Sequence, residues 1–91
     1  FLGRVGSNIA FRTTAKGVLV ARFPMAIRMD DGDTTWETVV AFGDKAEKLR
    51  DSVQRGDPIE IVGYAHAREV QRRDGSNRLV REIYAAVVKP R

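Results

Sequence analysis

One stretch of the chain, Thr35 to Gly56, constrains the fold more than any other. Its first half, Thr35-Trp-Glu-Thr-Val-Val-Ala-Phe-Gly-Asp44, alternates with the period of a pleated strand. Trp36, Thr38, Val40 and Phe42 point to one side, and Glu37, Val39 and Ala41 to the other. Gly43 breaks the strand, and Asp44 is expected to cap a helix by accepting bonds from its free backbone N–H groups. Beyond it, Ala46, Leu49 and Val53 recur at i, i+3 and i+7, a narrow apolar stripe on a helix expected over Asp44–Arg55. Gly56 supplies a left-handed residue to end that helix, and Pro58 prevents its continuation. No other unit of this kind occurs in the chain; the remainder reads as strand and turn.

The opening residues Phe1 to Gly6 form a short strand, and Ile9 to Arg12 a brief extended piece. The next strand runs from Val18 to about Met29. Val18, Val20, Arg22, Pro24, Ala26 and Arg28 share its outer face, while Leu19, Ala21, Phe23, Met25 and Ile27 face the core. Pro24 lacks a ladder donor, which points to an edge position or a bulge. Asp30-Asp-Gly-Asp33 makes a hairpin turn into Thr35–Phe42. After the helix, the fourth strand covers Ile59 to Val70 with a bend at Gly63. Gln71 to Arg78 forms a basic hairpin loop, and Leu79 to Lys89 forms the fifth strand. The resulting fold class is all-β: a five-stranded barrel with one α-helix between strands three and four, the oligonucleotide/oligosaccharide-binding (OB) fold. Closure removes exposed sheet edges, and the helix plugs one end.

Ninety-one residues make a single small domain, expected to span 1–91. The chain starts at Phe1 without a methionine, so a longer protein is expected. There is no cysteine, which excludes thiolate chemistry and disulfide staples, and His66 is the only histidine. No Ser-His-Asp arrangement is supported, so no catalytic residue is assigned and the chain is read as a non-enzyme. The Asp30–Asp33 acids lack the spacing of a calcium loop, and turn chemistry explains them; no metal or other cofactor is expected. No apolar run spans a bilayer. No signal-peptide pattern appears, and a cytoplasmic, nucleoid-associated location is expected. Sixteen Lys and Arg oppose twelve Asp and Glu, giving a net charge of +4 that suits a polyanionic partner.

Gly3-Arg4-Val5-Gly6 with Phe11-Arg12 and Gly17, Trp36-Glu-Thr-Val-Val-Ala-Phe-Gly43 with Ala46-Glu47, Arg55-Gly-Asp57 with Val62-Gly63, and Arg68…Asp74-Gly75…Arg78 follow one another in a familiar order. This series resembles the bacterial single-stranded DNA-binding proteins, with primosomal replication protein N as a near relative. The resemblance implies single-stranded DNA as partner, with RNA left open, in replication, repair and recombination. It implies base stacking at Trp36 and Phe42, strand contact at Arg68, and a homodimer or homotetramer formed through the first strand and its neighbours. Three departures stand out: a shorter hairpin after Arg28, Val70 where an aromatic is common, and an end at Lys89-Pro-Arg91 without the acidic tip that recruits replication and repair proteins. The first two imply weaker stacking.

The residues themselves support the same chemistry. Single strands offer flat bases and a line of phosphates, so aromatic platforms flanked by cations are required. Trp36 and Phe42 lie about 20 Å apart on one strand face, enough for separate bases. Thr38 between them can bond a base or phosphate. Arg22 and Arg28 from the neighbouring strand place a cation beside each platform, and arginine both stacks and bonds phosphate bidentately. Arg68, Arg72 and Arg73 extend this charge along the last hairpin. Each feature has a plainer reading: Trp36 as core, Phe42 as helix packing, the arginine run as a solvated loop, His66 as a polar surface residue. A protein–protein adaptor on the same barrel, or a primosome-type accessory protein with weak nucleic-acid binding, is the alternative function.

Overall fold

The computed structural model describes residues 1–91. The chain forms β1 (Leu2–Val5), β2 (Ala10–Thr13), β3 (Leu19–Arg28), β4 (Thr34–Phe42), α1 (Asp44–Ser52), β5 (Pro58–Gln71) and β6 (Asn77–Pro90). All strands belong to one sheet of order β1-β5-β6-β4-β3-β2, and β1 also pairs with β3. That extra pairing closes a ring through β1, β5, β6, β4 and β3, consistent with an OB-fold. The β4–β6 contact is parallel (Thr38 opposite Glu82, Val40 opposite Tyr84), and the other pairings are antiparallel.

Six strands are present rather than the five expected. The extended piece near Ile9–Arg12 is a strand in its own right, β2, lying outside the closed ring. The chain leaves β3 after Val5 pairs with Met25, and then returns to the other half of β3, where Ala10 opposes Arg22. Pro24 falls in the gap between these two partners. It is therefore at neither an edge nor a bulge, and its carbonyl accepts a hydrogen bond from the Gly6 N–H at 2.8 Å.

The helix also differs at both ends. Gly43, at φ 62°, occupies the cap position with no side-chain capping bond, and Asp44 is the first helical residue. Its Oδ1 accepts from the adjacent Lys45 N–H at 3.1 Å, one residue short of a capping contact. The helix stops at Ser52 because Val53 turns extended. Gly56 is left-handed (φ 88°) but serves the turn after the helix, where its N–H donates to the Val5 carbonyl at 2.8 Å.

The apolar patterning matches the packing. Ala21, Phe23 and Met25 of β3, Val39 and Ala41 of β4, and Ala46, Leu49 and Val53 of the helical segment join one buried cluster. Val5, Ile59, Ile61, Ile83 and Val88 complete it, with Leu19 and Ile27 packed against its margin. One apolar face from each of the five ring strands and one helix stripe thus fill the ring, which leaves the opposite faces of β3, β4, β5 and β6 free to carry polar and aromatic groups.

At the bend predicted for Gly63, the β5–β6 register shifts: Val62 opposes Val87 and Gly63 opposes Ala85, so the extra residue of the bulge is Ala86 of β6. A Cβ on Gly63 would lie 2.2 Å from the Tyr84 carbonyl oxygen, so only glycine fits. The bulge switches the alternation of β6, so that Ile83 and Val88, five residues apart, both face the core.

Candidate nucleic-acid interface

Strand register defines an outer face four strands wide. On β3 it carries Val20, Arg22 and Pro24, opposite Phe42, Val40 and Thr38 of β4. On β6 it carries Glu82 and Tyr84, and past the bulge Tyr64 of β5 opposes Tyr84 and His66 opposes Glu82. Arg68 follows two residues further along β5, on the same side.

The aromatic groups on this face touch one another. Phe42 and Tyr84 meet edge to face, with ring centroids 6.1 Å apart. Tyr64 meets Tyr84 edge to face at 6.0 Å, and His66 stacks on Tyr84 at 5.3 Å with 21° between planes. These separations are those of favourable aromatic pairs. Tyr84 is half-buried at the centre, while Phe42 and Tyr64 remain exposed. Beside them runs a groove of about 630 Å³ between β2 and the outer face, lined in part by Phe11, Arg12, Phe42 and Tyr84.

Arg22 and Arg68 line the same groove and converge on Glu82. Arg68 Nε donates to Glu82 Oε1 at 3.1 Å, and Arg22 bonds Oε2 from the opposite side. Glu82 is only 2% exposed, whereas both arginine side chains are about half exposed. Burial would raise the Glu82 pKa. The hydrogen bond from Arg68 and the charge of Arg22 outweigh it and hold the carboxyl below the usual glutamate range.

The other expected site residues distribute more widely. Trp36 lies on the same face of β4, 60% exposed, and is not part of the core. Its ring covers Gly6, where a Cβ would approach Cζ3 to 2.3 Å. Thr38 is half-buried between Pro24 and Glu82 in the register. Arg28 opposes Thr34, next to the Trp36 pair, and borders a different hollow with Leu2, Arg4 and Met29. Arg72 and Arg73 are exposed in the β5–β6 turn and line neither hollow. They sit about 13 Å beyond Arg68 along the ribbon. Arg81 of β6 pairs with Glu37 of β4 at 3.4 Å. At the β3–β4 turn, Asp31 Oδ1 accepts from the Asp33 N–H at 2.9 Å, the role expected of turn aspartates.

Tyr64, Tyr84, Phe11 and Glu82 did not emerge from the sequence as members of this face. The alternation of Tyr64, His66 and Arg68 was a usable signal on β5. Nothing local linked Tyr84 to Phe42, because their adjacency arises from a parallel pairing between strands some forty residues apart.

A closed β-ring with one helix, bearing an aromatic face flanked by arginines, has the make-up of an oligonucleotide-binding OB-fold protein. The model of the single-strand binding protein family matches residues 1–90, and the chain belongs to that family. Its members are non-enzymatic proteins that bind single-stranded DNA, and such binding is the general activity of this chain. No curated protein matches the chain. No helix is long and apolar enough to cross a membrane.

Proposed function

We propose that this domain binds single-stranded DNA largely without regard to sequence, through base stacking and phosphate neutralisation. The single observation carrying this reading is the contiguous row Phe42–Tyr84–Tyr64, with Trp36 standing apart from it on the same face of β4. Every base has a π-face, so a row of rings tolerates any sequence, at about 1–3 kcal/mol per stacked base. Arg28 beside Trp36 and Arg72 and Arg73 on the ribbon are the phosphate contacts. Thr38 supplies a hydroxyl between the platforms. Arg22 and Arg68 border the aromatic row. The protein acts in replication, repair and recombination of DNA in the cytoplasm, as a homodimer or homotetramer.

Titration with a fluorescent-silent oligo-dT tests this. Trp36 emission falls on binding, and affinity drops steeply as salt rises. An oligo-rU series compares RNA with DNA under the same conditions. Unchanged emission and no salt-dependent binding at low salt would favour the protein–protein adaptor instead. Replacing Arg72 and Arg73 together by Gln reduces the slope of log K against log salt by about 1.4, since each phosphate neutralised on a single strand contributes about 0.7.

A further inference from the structure

Glu82 is the one buried charged residue in the chain, and it lies in the middle of the face that carries the aromatic row. An anion there is unexpected on a surface meant for a polyanion. A carboxylate on such a surface can read a base edge, but both oxygens of Glu82 are already engaged, Oε1 by Arg68 and Oε2 by Arg22. With 2% of its surface accessible, it has no free acceptor to offer a base. Arg22 starts on β3 and reaches over β4 to β6, while Arg68 comes from β5 on the other side. The three side chains therefore link β3, β6 and β5, spanning β4, across the groove floor, with one positive charge in sum.

We propose that Glu82 is a positioning residue that anchors Arg22 and Arg68 across the groove and cancels one of their two charges, so that the pair attracts phosphate as a single cation and holds its guanidinium planes in place for bases. The inference rests on the single-strand-binding reading above. A phosphate at the centre meets two half-exposed guanidinium groups that are already bonded to the buried carboxylate and carry one positive charge in sum with it. Bases meet the same guanidinium groups beside Phe42 and Tyr84, where an uncharged π-face is not repelled. The arginine pair then counts as one cation in the salt dependence, not two.

The test is the slope of log K against log salt for oligo-dT binding to the intact chain. Glu82→Gln releases one unit of positive charge, and the slope steepens by about 0.7. The double variant Glu82→Gln/Arg68→Gln restores the original charge sum, and its slope returns to that of the unmodified protein. It also removes the charged donor left unmatched by the single change, so it provides a reading if Glu82→Gln alone does not fold. A folded Glu82→Gln protein with an unchanged or shallower slope overturns the proposal, as does a double variant whose slope departs from the original. If the unmodified protein shows no salt-dependent binding at all, the single-strand reading itself fails, and that outcome is separate from equal slopes among variants that do bind.

Discussion

Gly6 lies directly beneath the indole of Trp36: a Cβ on Gly6 would come within 2.3 Å of Cζ3, and the Pro24 carbonyl stands 3.1 Å away on another side. The ring thus rests on bare backbone at the end of β1 and presents its other surface to solvent. Gly6→Ala therefore displaces the ring. The expected result is a change in Trp36 emission and a three- to tenfold weaker oligo-dT affinity, with a stability cost of about 1–3 kcal/mol from overpacking. Emission and affinity identical to those of the unmodified protein would show that the ring has another resting place.

Trp36→Ala and Tyr64→Ala remove exposed rings and leave the core cluster intact. Each is expected to weaken oligonucleotide binding by about 1–3 kcal/mol, with little change in thermal midpoint. Because Trp36→Ala removes the sole tryptophan, its binding is read by anisotropy of a labelled oligonucleotide. Unfolding of Trp36→Ala would return that residue to the core.

Gly63→Ala is expected to be among the most damaging single substitutions. The atom 2.2 Å from the added methyl is a backbone oxygen of β6, which cannot swing aside as a side chain can. Removal of the bulge would also slip β6 by one residue against β5 on one side of Ala86, and a one-residue slip turns that part of β6 to the other face. Urea unfolding is expected to give a loss of about 2 kcal/mol or more. A midpoint within error of the original would rule out this register.

Acid sensitivity follows from Glu82. Its folded pKa is depressed by Arg68 and Arg22 despite burial. A depressed carboxyl contributes stability that is present above its unfolded value, about 4.3 for glutamate, and is lost as pH falls through the lower folded value. Both arginines are half exposed, so solvent screening weakens the contribution. Asp74 shifts in the same direction through its hydrogen bond from the Ser76 hydroxyl, which makes a comparison necessary. Urea unfolding between pH 3 and 7 is expected to show a smaller acid loss for Glu82→Gln than for the unmodified protein. Equal losses would mean the carboxylate is not held as described.

Packing of the helix can be tested at Leu49, which is fully buried against the ring. Leu49→Ala is expected to cost about 2–5 kcal/mol, the range for truncating a large aliphatic core side chain. A cost below 1 kcal/mol would mean that α1 does not close the end of the ring.

Much of the architecture was legible in local pattern. Alternation on β3 and β4 separated Phe23, Met25, Val39 and Ala41 from Arg22, Thr38 and Trp36, because a pleated strand allows only two faces. The stripe Ala46, Leu49, Val53 located the helix, although its ends shifted. Gly43 took the cap and Val53 left the helix early; the segment is tied at its start to β3, where the Gly43 N–H donates to the Leu19 carbonyl, and after its end to β1, where the Gly56 N–H donates to the Val5 carbonyl. The status of Ile9–Arg12 was not legible. Pairing with β3 converts four exposed residues into a strand, and only their position beside Arg22 and Ala21 supplies the partner.

What the amino-acid order determined alone is the periodic part: which residues alternate, where the turns fall, which stripe the helix buries, and that Trp36 shares a face with Phe42. Those features depend on neighbours within a few positions. The tertiary structure alone decided that Tyr84 meets Phe42, Tyr64 and His66, and that Arg22 and Arg68 close on a buried Glu82. These contacts form when β6 docks between β4 and β5, bringing together groups from opposite ends of the chain. No local rule encodes that juxtaposition, because it depends on ring closure.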